Sequence, residues 1–93
     1  MTDLAEKTDR YERLLAEALA TAEPASPADT PLASAAAELE KMAAAYLEDG
    51  RHFRDENDLV NALAAFSYGH AWLDAGARLG VLEVPREGDL FTV

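Results

Sequence analysis

Apolar residues recur at three- and four-residue spacing in three stretches of the chain. In the first, Leu4, Tyr11, Leu14, Leu15, Ala18, Leu19 and Ala22 fall on one side of a helix predicted over 3–22. Asp3 and Glu6 make a capping pair at its start. Asp3 with Lys7, Glu6 with Arg10 and Asp9 with Arg13 are acid-before-base pairs at i,i+4, which places these charges on a solvated face. Residues 23–30 then carry Pro24 and Pro27 among small polar residues and predict a linker.

Thr30-Pro31 predicts the next helix start, with Thr as cap and Pro where a missing N–H costs nothing. Leu32, Ala35, Ala36, Leu39, Met42, Ala43, Tyr46, Leu47 and Phe53 keep helical spacing over a second helix at 31–55. Gly50 inside it predicts either a closely packed neighbour or a bend, since glycine there costs about 1 kcal/mol against alanine. Asn57 suits a left-handed helix end and Asp58 the following cap. A third helix is predicted over 59–79, closed by Gly80, and residues 59–73 hold no charged side chain. A helix apolar on most sides is surrounded by protein, so the third helix is expected at the centre, wrapped along 59–73. It is too short and too polar to span a bilayer. The tail, 81–93, holds Pro85 and Gly88 and ends Leu90-Phe91-Thr92-Val93, which predicts an apolar end folded back onto the bundle or onto a partner chain. The pattern as a whole predicts an all-α, antiparallel three-helix bundle with a short extended C-terminal tail, in a single domain over 1–93.

Composition narrows the function. Lys and Arg total 8 against 18 Asp and Glu, a formal charge of −10, with no cysteine. Phosphate backbones and anionic membrane surfaces are repelled by such a chain, so neither nucleic acid nor membrane is an expected partner. Thiolate metal sites and disulfides are excluded. The start, Met1-Thr2-Asp3-Leu4, has no secretory pattern, which predicts a cytoplasmic protein. Two Lys, six Arg and twenty Ala beside that acidity suggest a cytoplasm of molar salt, where charges are screened within about 3 Å.

Candidate chemistry is sparse. Asp49 and His52 stand at i,i+3, and His70 and Asp74 at i,i+4, on the second and third helices. Two carboxylates and two imidazoles form a ligand set suited to zinc or iron. The acid-x-x-His spacing of a di-iron bundle occurs only once, however, and His52 is placed near an exposed helix end. Ser67, His70 and Asp74 supply the residue types of a catalytic triad, but on one helix their side chains point the same way and make a poor relay. No phosphate-binding glycine loop is present. A tetratricopeptide-like run at 58–68 lacks its repeat, and no Arg is followed by a His after four to six intervening residues as in small helical nucleases. The polar cluster Tyr46, Asp49, Tyr68, His70, Trp72 and Asp74 is accordingly read as structural: a tyrosine bonded to Asp49, a Trp72 N–H with a partner, and an Asp74–Arg78 ion pair. No enzyme activity and no cofactor are implied.

Tyr46-Leu47-Glu48-Asp49, His52-Phe53, Asp58-Leu59-Val60-x-Ala62, Ser67-Tyr68-Gly69-His70-Ala71-Trp72-Leu73-Asp74-Ala75-Gly76 and Arg78-Leu79-Gly80 together resemble the archaeal "domain of unknown function 357" family. The resemblance covers about 31–82; the closing Leu90-Phe91-Thr92-Val93 is also similar, and 1–30 are compatible only in helical pattern. The family-like positions are Tyr46, Asp49, Phe53, Tyr68, Trp72, Asp74 and Gly76. What it implies is a small archaeal helical bundle with no established activity to transfer.

Two helices and a tail do not readily cover an uncharged third helix. The expected function is therefore a non-enzymatic structural or protein-interaction module that self-associates as a homodimer or binds another protein. The alternative is a small-ligand or metal-binding regulator with a polar pocket between the second and third helices.

Overall fold

A computed structural model describes residues 3–92. Met1 and Thr2, which precede the predicted first helix, and Val93 of the apolar tail end lie outside the described residues. The helices are α1 Leu4–Thr21, α2 Pro31–Asp55 and α3 Leu59–Arg78, with two-residue strands β1 Glu23–Pro24 and β2 Leu82–Glu83. Among the described residues no helix is long and apolar enough to cross a membrane.

Local chemistry sets the helix ends. The Asp3 carboxylate accepts from the Ala5 N–H, Thr30 Oγ1 from the Ala33 N–H and Asp58 Oδ1 from the Asn61 N–H, each satisfying one orphan donor of a first turn. The far ends of α2 and α3 share one closure. Asn57 at φ 60° and Gly80 at φ 77° take the left-handed conformation. The next residue's N–H then reaches back five positions, Asp58 to Phe53 C=O at 2.8 Å and Val81 to Gly76 C=O at 2.9 Å. After α2 the closure runs straight into the cap of α3, so only a tight turn separates the two.

That turn makes α2 and α3 antiparallel, and small residues at seven-residue intervals let them approach closely. Ala36, Ala43 and Gly50 on α2 are buried, as are Ala62, Gly69 and Gly76 on α3. Larger side chains from the facing helix fill the space so left. The fully buried Phe66 ring lies where a Gly50 Cβ would stand. A Gly69 Cβ would come within 2.9 Å of both Leu15 Cδ2 and Tyr46 Cβ, so α1 and α2 both press on α3 at that point. Gly50 is thus explained by a close neighbour.

Ion pairs fix α1 against α2. Arg51 Nε donates to Glu12 Oε2 at 2.6 Å, and Arg54 Nη1 donates to Asp9 Oδ1 at 2.9 Å and also pairs with Glu12. The predicted intrahelical partner of Asp9 is therefore replaced: Asp9 turns to α2, while Arg13 pairs with Glu17 and Asp89. Intrahelical spacing was satisfied in both cases, but a bond that also joins two helices adds tertiary stabilisation. The contacts place the N-terminal end of α1 beside the C-terminal end of α2, which gives an up–down–up bundle.

At the opposite end β1 pairs antiparallel with β2, Glu23 opposite Glu83 and Pro24 opposite Leu82. The linker thus starts as a strand. Beyond β2 the tail turns back along α1 and α3, and Phe91 is buried in the common core.

Exposure corrects two expectations. Leu4 and Leu32, assigned to buried stripes, are exposed, Leu32 at 55%, because each sits in the first turn of its helix where its neighbour has ended. The wrapping of residues 59–73 is one-sided. Ala62, Ala65, Phe66, Gly69 and Leu73 are buried, whereas Val60, Asn61, Ala64, Ser67, Tyr68 and Ala71 face solvent. Two flanking helices cover only part of the circumference of a third, and the molecule is elongated, 43 × 25 × 16 Å.

Candidate functional site

The helical period of α3 distributes its polar and aromatic residues over different sides, so the predicted cluster divides. Tyr68 and Trp72, one turn apart, share a side with Tyr46 of α2. Their rings meet edge to face: Tyr46–Tyr68 centroids are 4.7 Å apart and Tyr68–Trp72 6.0 Å, both at 83°. Tyr68 is 51% exposed. It lies within the outer stripe of α3, which continues through Val60 and Ala64 to Ala71, Ala75 and Leu79.

His70 and Asp74 lie on the side that meets α1 and the tail. His70 Nδ1 is 3.2 Å from Asp74 Oδ2, so a neutral imidazole carries its proton on Nδ1 and donates to the carboxylate. The other oxygen, Oδ1, accepts the Thr92 N–H at 3.1 Å. Arg78 Nη2 donates to the Thr92 C=O at 3.1 Å. The predicted Asp74–Arg78 ion pair is thereby replaced, since the two side chains hold the backbone N–H and C=O of one tail residue, Thr92. The buried Phe91 ring lies 5.9 Å from His70, centroid to centroid. Beside Thr92 a cleft of about 360 Å³ opens, lined by Tyr11, Leu14, Ser67, His70 and Asp74 among others.

Asp49 joins neither group. It is exposed on α2 and has no tyrosine partner among the described residues, which overturns its predicted hydrogen bond. His52 pairs instead with Glu56 at the exposed end of α2, Nε2 to Oε1 3.4 Å. Asp49, His52, His70 and Asp74 therefore do not converge, and no group of three potential ligands among the described residues forms a metal site. Trp72 Nε1 and His70 Nε2 are buried without a protein partner, contrary to the expected pairing of the tryptophan. With Nε2 unpaired, Ser67 does not complete a relay with His70 and Asp74.

A titratable group that sequence inspection passed over lies at the strand end. Glu40 Oε1 is buried without a protein partner, and burial, reinforced by the charge of Glu23, raises the Glu40 carboxyl above its ordinary range. A raised folded-state value means that the stabilising contribution is present at low pH and lost as pH rises through the carboxylate range. Glu40→Gln is therefore expected to melt at a higher temperature than the parent at pH 7. The difference should close below about pH 4, where glutamates are neutral in both folded and unfolded chains. Paired melting curves across that range check the sign; a variant that melts lower at pH 7 contradicts it.

A three-helix domain with a partly bared central helix and a clamped tail is the class of protein that this geometry defines. The chain belongs to the family described as "Protein of unknown function (DUF357)", whose model matches residues 10–82. The match takes in α1 from Arg10 onward, more than the resemblance alone implied, and stops at Leu82, before the clamped segment. No curated protein and no solved structure matches the chain.

Proposed function

We propose that this protein is a non-enzymatic interaction module whose outer α3 stripe pairs with the same stripe of a second copy. One observation carries the reading. A helix of twenty residues, about 30 Å long, shows solvent a face with no charge from Val60 to Ala75 in a chain of net charge −10. On that face Val60 is 68% exposed, Tyr68 51% and, at its far end, Leu79 78%.

The charge argues for a second copy as the occupant. Two chains of like charge meet at least cost where neither carries any. Ala64, Ala71 and Ala75 allow two helices to approach closely, and Tyr68 at the middle supplies the large aromatic contact that interfaces favour. A two-fold axis through such a stripe makes the same patch serve both copies. The acidic, lysine-poor composition extends the reading to a cytoplasm of high salt, where screening removes the remaining repulsion.

Sedimentation at about 0.1 M and about 2 M KCl tests it, the ionic strength being chosen to change the screening length. A dimer is expected that tightens with salt. Tyr68→Glu, an exposed change that leaves helicity intact, is expected to weaken it roughly tenfold or more by setting like charges face to face. A parent chain that stays monomeric at both salts, or a dimer indifferent to Tyr68→Glu, overturns the reading.

A further inference from the structure

The end of the chain is fastened to the bundle without a backbone ladder. Leu82 is buried and Val84 packs on the core, which anchors the chain as it leaves β2. Pro85, Arg86, Glu87 and Gly88 are then exposed, and Gly88 turns at φ 95° with open space where a Cβ would stand. Residues 89–92 return to the helices and are held there by side chains. Arg13 of α1 pairs with Asp89, Asp74 accepts the Thr92 N–H, Arg78 donates to the Thr92 C=O, and the Phe91 ring is buried. Among the described residues no backbone–backbone hydrogen bond reaches 85–92.

Against this segment lies His70. The Phe91 ring is 5.9 Å from the imidazole, centroid to centroid. Asp74 takes the Thr92 N–H on Oδ1 and the imidazole Nδ1–H on Oδ2. In the neutral imidazole Nε2 is then the basic nitrogen, and it is buried with no protein partner. An acceptor left unpaired is a cost of the closed arrangement, and contact with water relieves it. Two bodies flank the imidazole besides its own helix: α1, whose Tyr11 and Leu14 line the same cleft, and residues 89–92. Only the second can leave while every helical hydrogen bond stays made.

We propose that residues 89–92 are a strap, hinged over 85–88, whose release from Asp74 uncovers the His70 imidazole while the three helices stay folded. Asp74 joins latch and shield, because one carboxylate both holds the Thr92 backbone and fixes which imidazole nitrogen bears the proton. Release leaves an Nε2 lone pair open to solvent at the wall of the cleft of about 360 Å³. The strap is thus a gate on that nitrogen. Its opening is a property of one chain and needs no pairing through the outer stripe.

Acylation of the full chain by diethyl pyrocarbonate, mapped by mass spectrometry at one near-neutral pH, reads the gate. The reagent attacks accessible neutral imidazole, and His52, exposed near the end of α2, is the internal standard. In the parent chain His70 is expected to react much more slowly than His52. Thr92→Pro removes the N–H given to Asp74 and leaves Phe91 and the helical side chains in place. It is expected to raise His70 acylation about tenfold, the worth of one charge-assisted hydrogen bond. His52 acylation and helicity by circular dichroism should not change. Phe91→Ala, which removes the ring beside the imidazole, is expected to raise His70 acylation further.

A His70 that stays as slow in both variants as in the parent overturns the strap as its shield and leaves that role to α1. A His70 that already matches His52 in the parent overturns the closed state. Hydrogen exchange of the parent chain supplies the test if the variants fail to fold. Amides of 89–92 are expected to exchange at least about tenfold faster than those of α3 around Phe66 and Leu73, since local opening costs less than global unfolding. Equal rates overturn a release that spares the helices. So does α3 exchange that rises in step with His70 acylation in Thr92→Pro.

Discussion

Gly50→Ala is expected to destabilise the domain by roughly 1–3 kcal/mol, the usual cost of forcing extra volume into a packed core. For a domain of this size that lowers the melting temperature by about 4–8 °C per kcal/mol. Helix propensity predicts the opposite sign, since alanine is favoured over glycine by about 1 kcal/mol in a helix interior. The added methyl has nowhere to go, because the ring of Phe66 already occupies its place and is itself fully buried. Thermal melts of the two chains decide between backbone propensity and packing. A variant that melts higher would mean that α2 and α3 do not approach as closely as the structure places them. Gly50→Ala combined with Phe66→Leu should cost less than the sum of the two single changes, as expected of residues in contact.

Phe66→Ala is expected to have the larger effect, about 3–5 kcal/mol, from lost burial and the cavity left behind. Phe66 is among the largest side chains with no solvent exposure, and it sits where α3 packs against Gly50 of α2. Total stabilities of small domains begin near 5 kcal/mol, so this one change should leave a substantial unfolded fraction at room temperature. Urea titration followed by circular dichroism measures it. A loss below about 1 kcal/mol, typical of a mild core swap, would contradict a closed core around the ring.

Capping signals were the most legible features of the chain. Thr30-Pro31, Asn57-Asp58 and Gly80 each act through bonds to backbone groups a few positions away, and the structure uses all three in that way. The candidate site was less legible, because a set of residue types on two helices says nothing about which sides face each other. Asp49 and His52 point to solvent, while Tyr46, Tyr68 and Trp72 form one group and His70 and Asp74 another. One signal for the interface was present: the seven-residue spacing of Ala36, Ala43 and Gly50, and of Ala62, Gly69 and Gly76. By sequence alone Ala36 and Ala43 are ordinary members of an apolar stripe and Gly50 a single close contact or bend, so the shared small-residue face shows only once the facing helix is in place.

Charge partners show the same boundary. Asp9, Arg13, Asp74 and Arg78 each had an i,i+4 partner available, and spacing along one helix accounts only for Arg13 with Glu17 and for Asp74 with His70. The other contacts run to a different element, Asp9 to Arg54 and Asp74 and Arg78 to Thr92.

The sequence by itself determined what depends on near neighbours: three helices, their caps, the left-handed closures and an uncharged third helix. Tertiary structure decided which side of α3 is bared, which glycines are indispensable, and that the tail is clamped by Asp74 and Arg78. The reason is one of range. Backbone capping and helical periodicity act over a few residues and are written locally. The rotation of one helix against another is settled only when all three compete to bury the same small core.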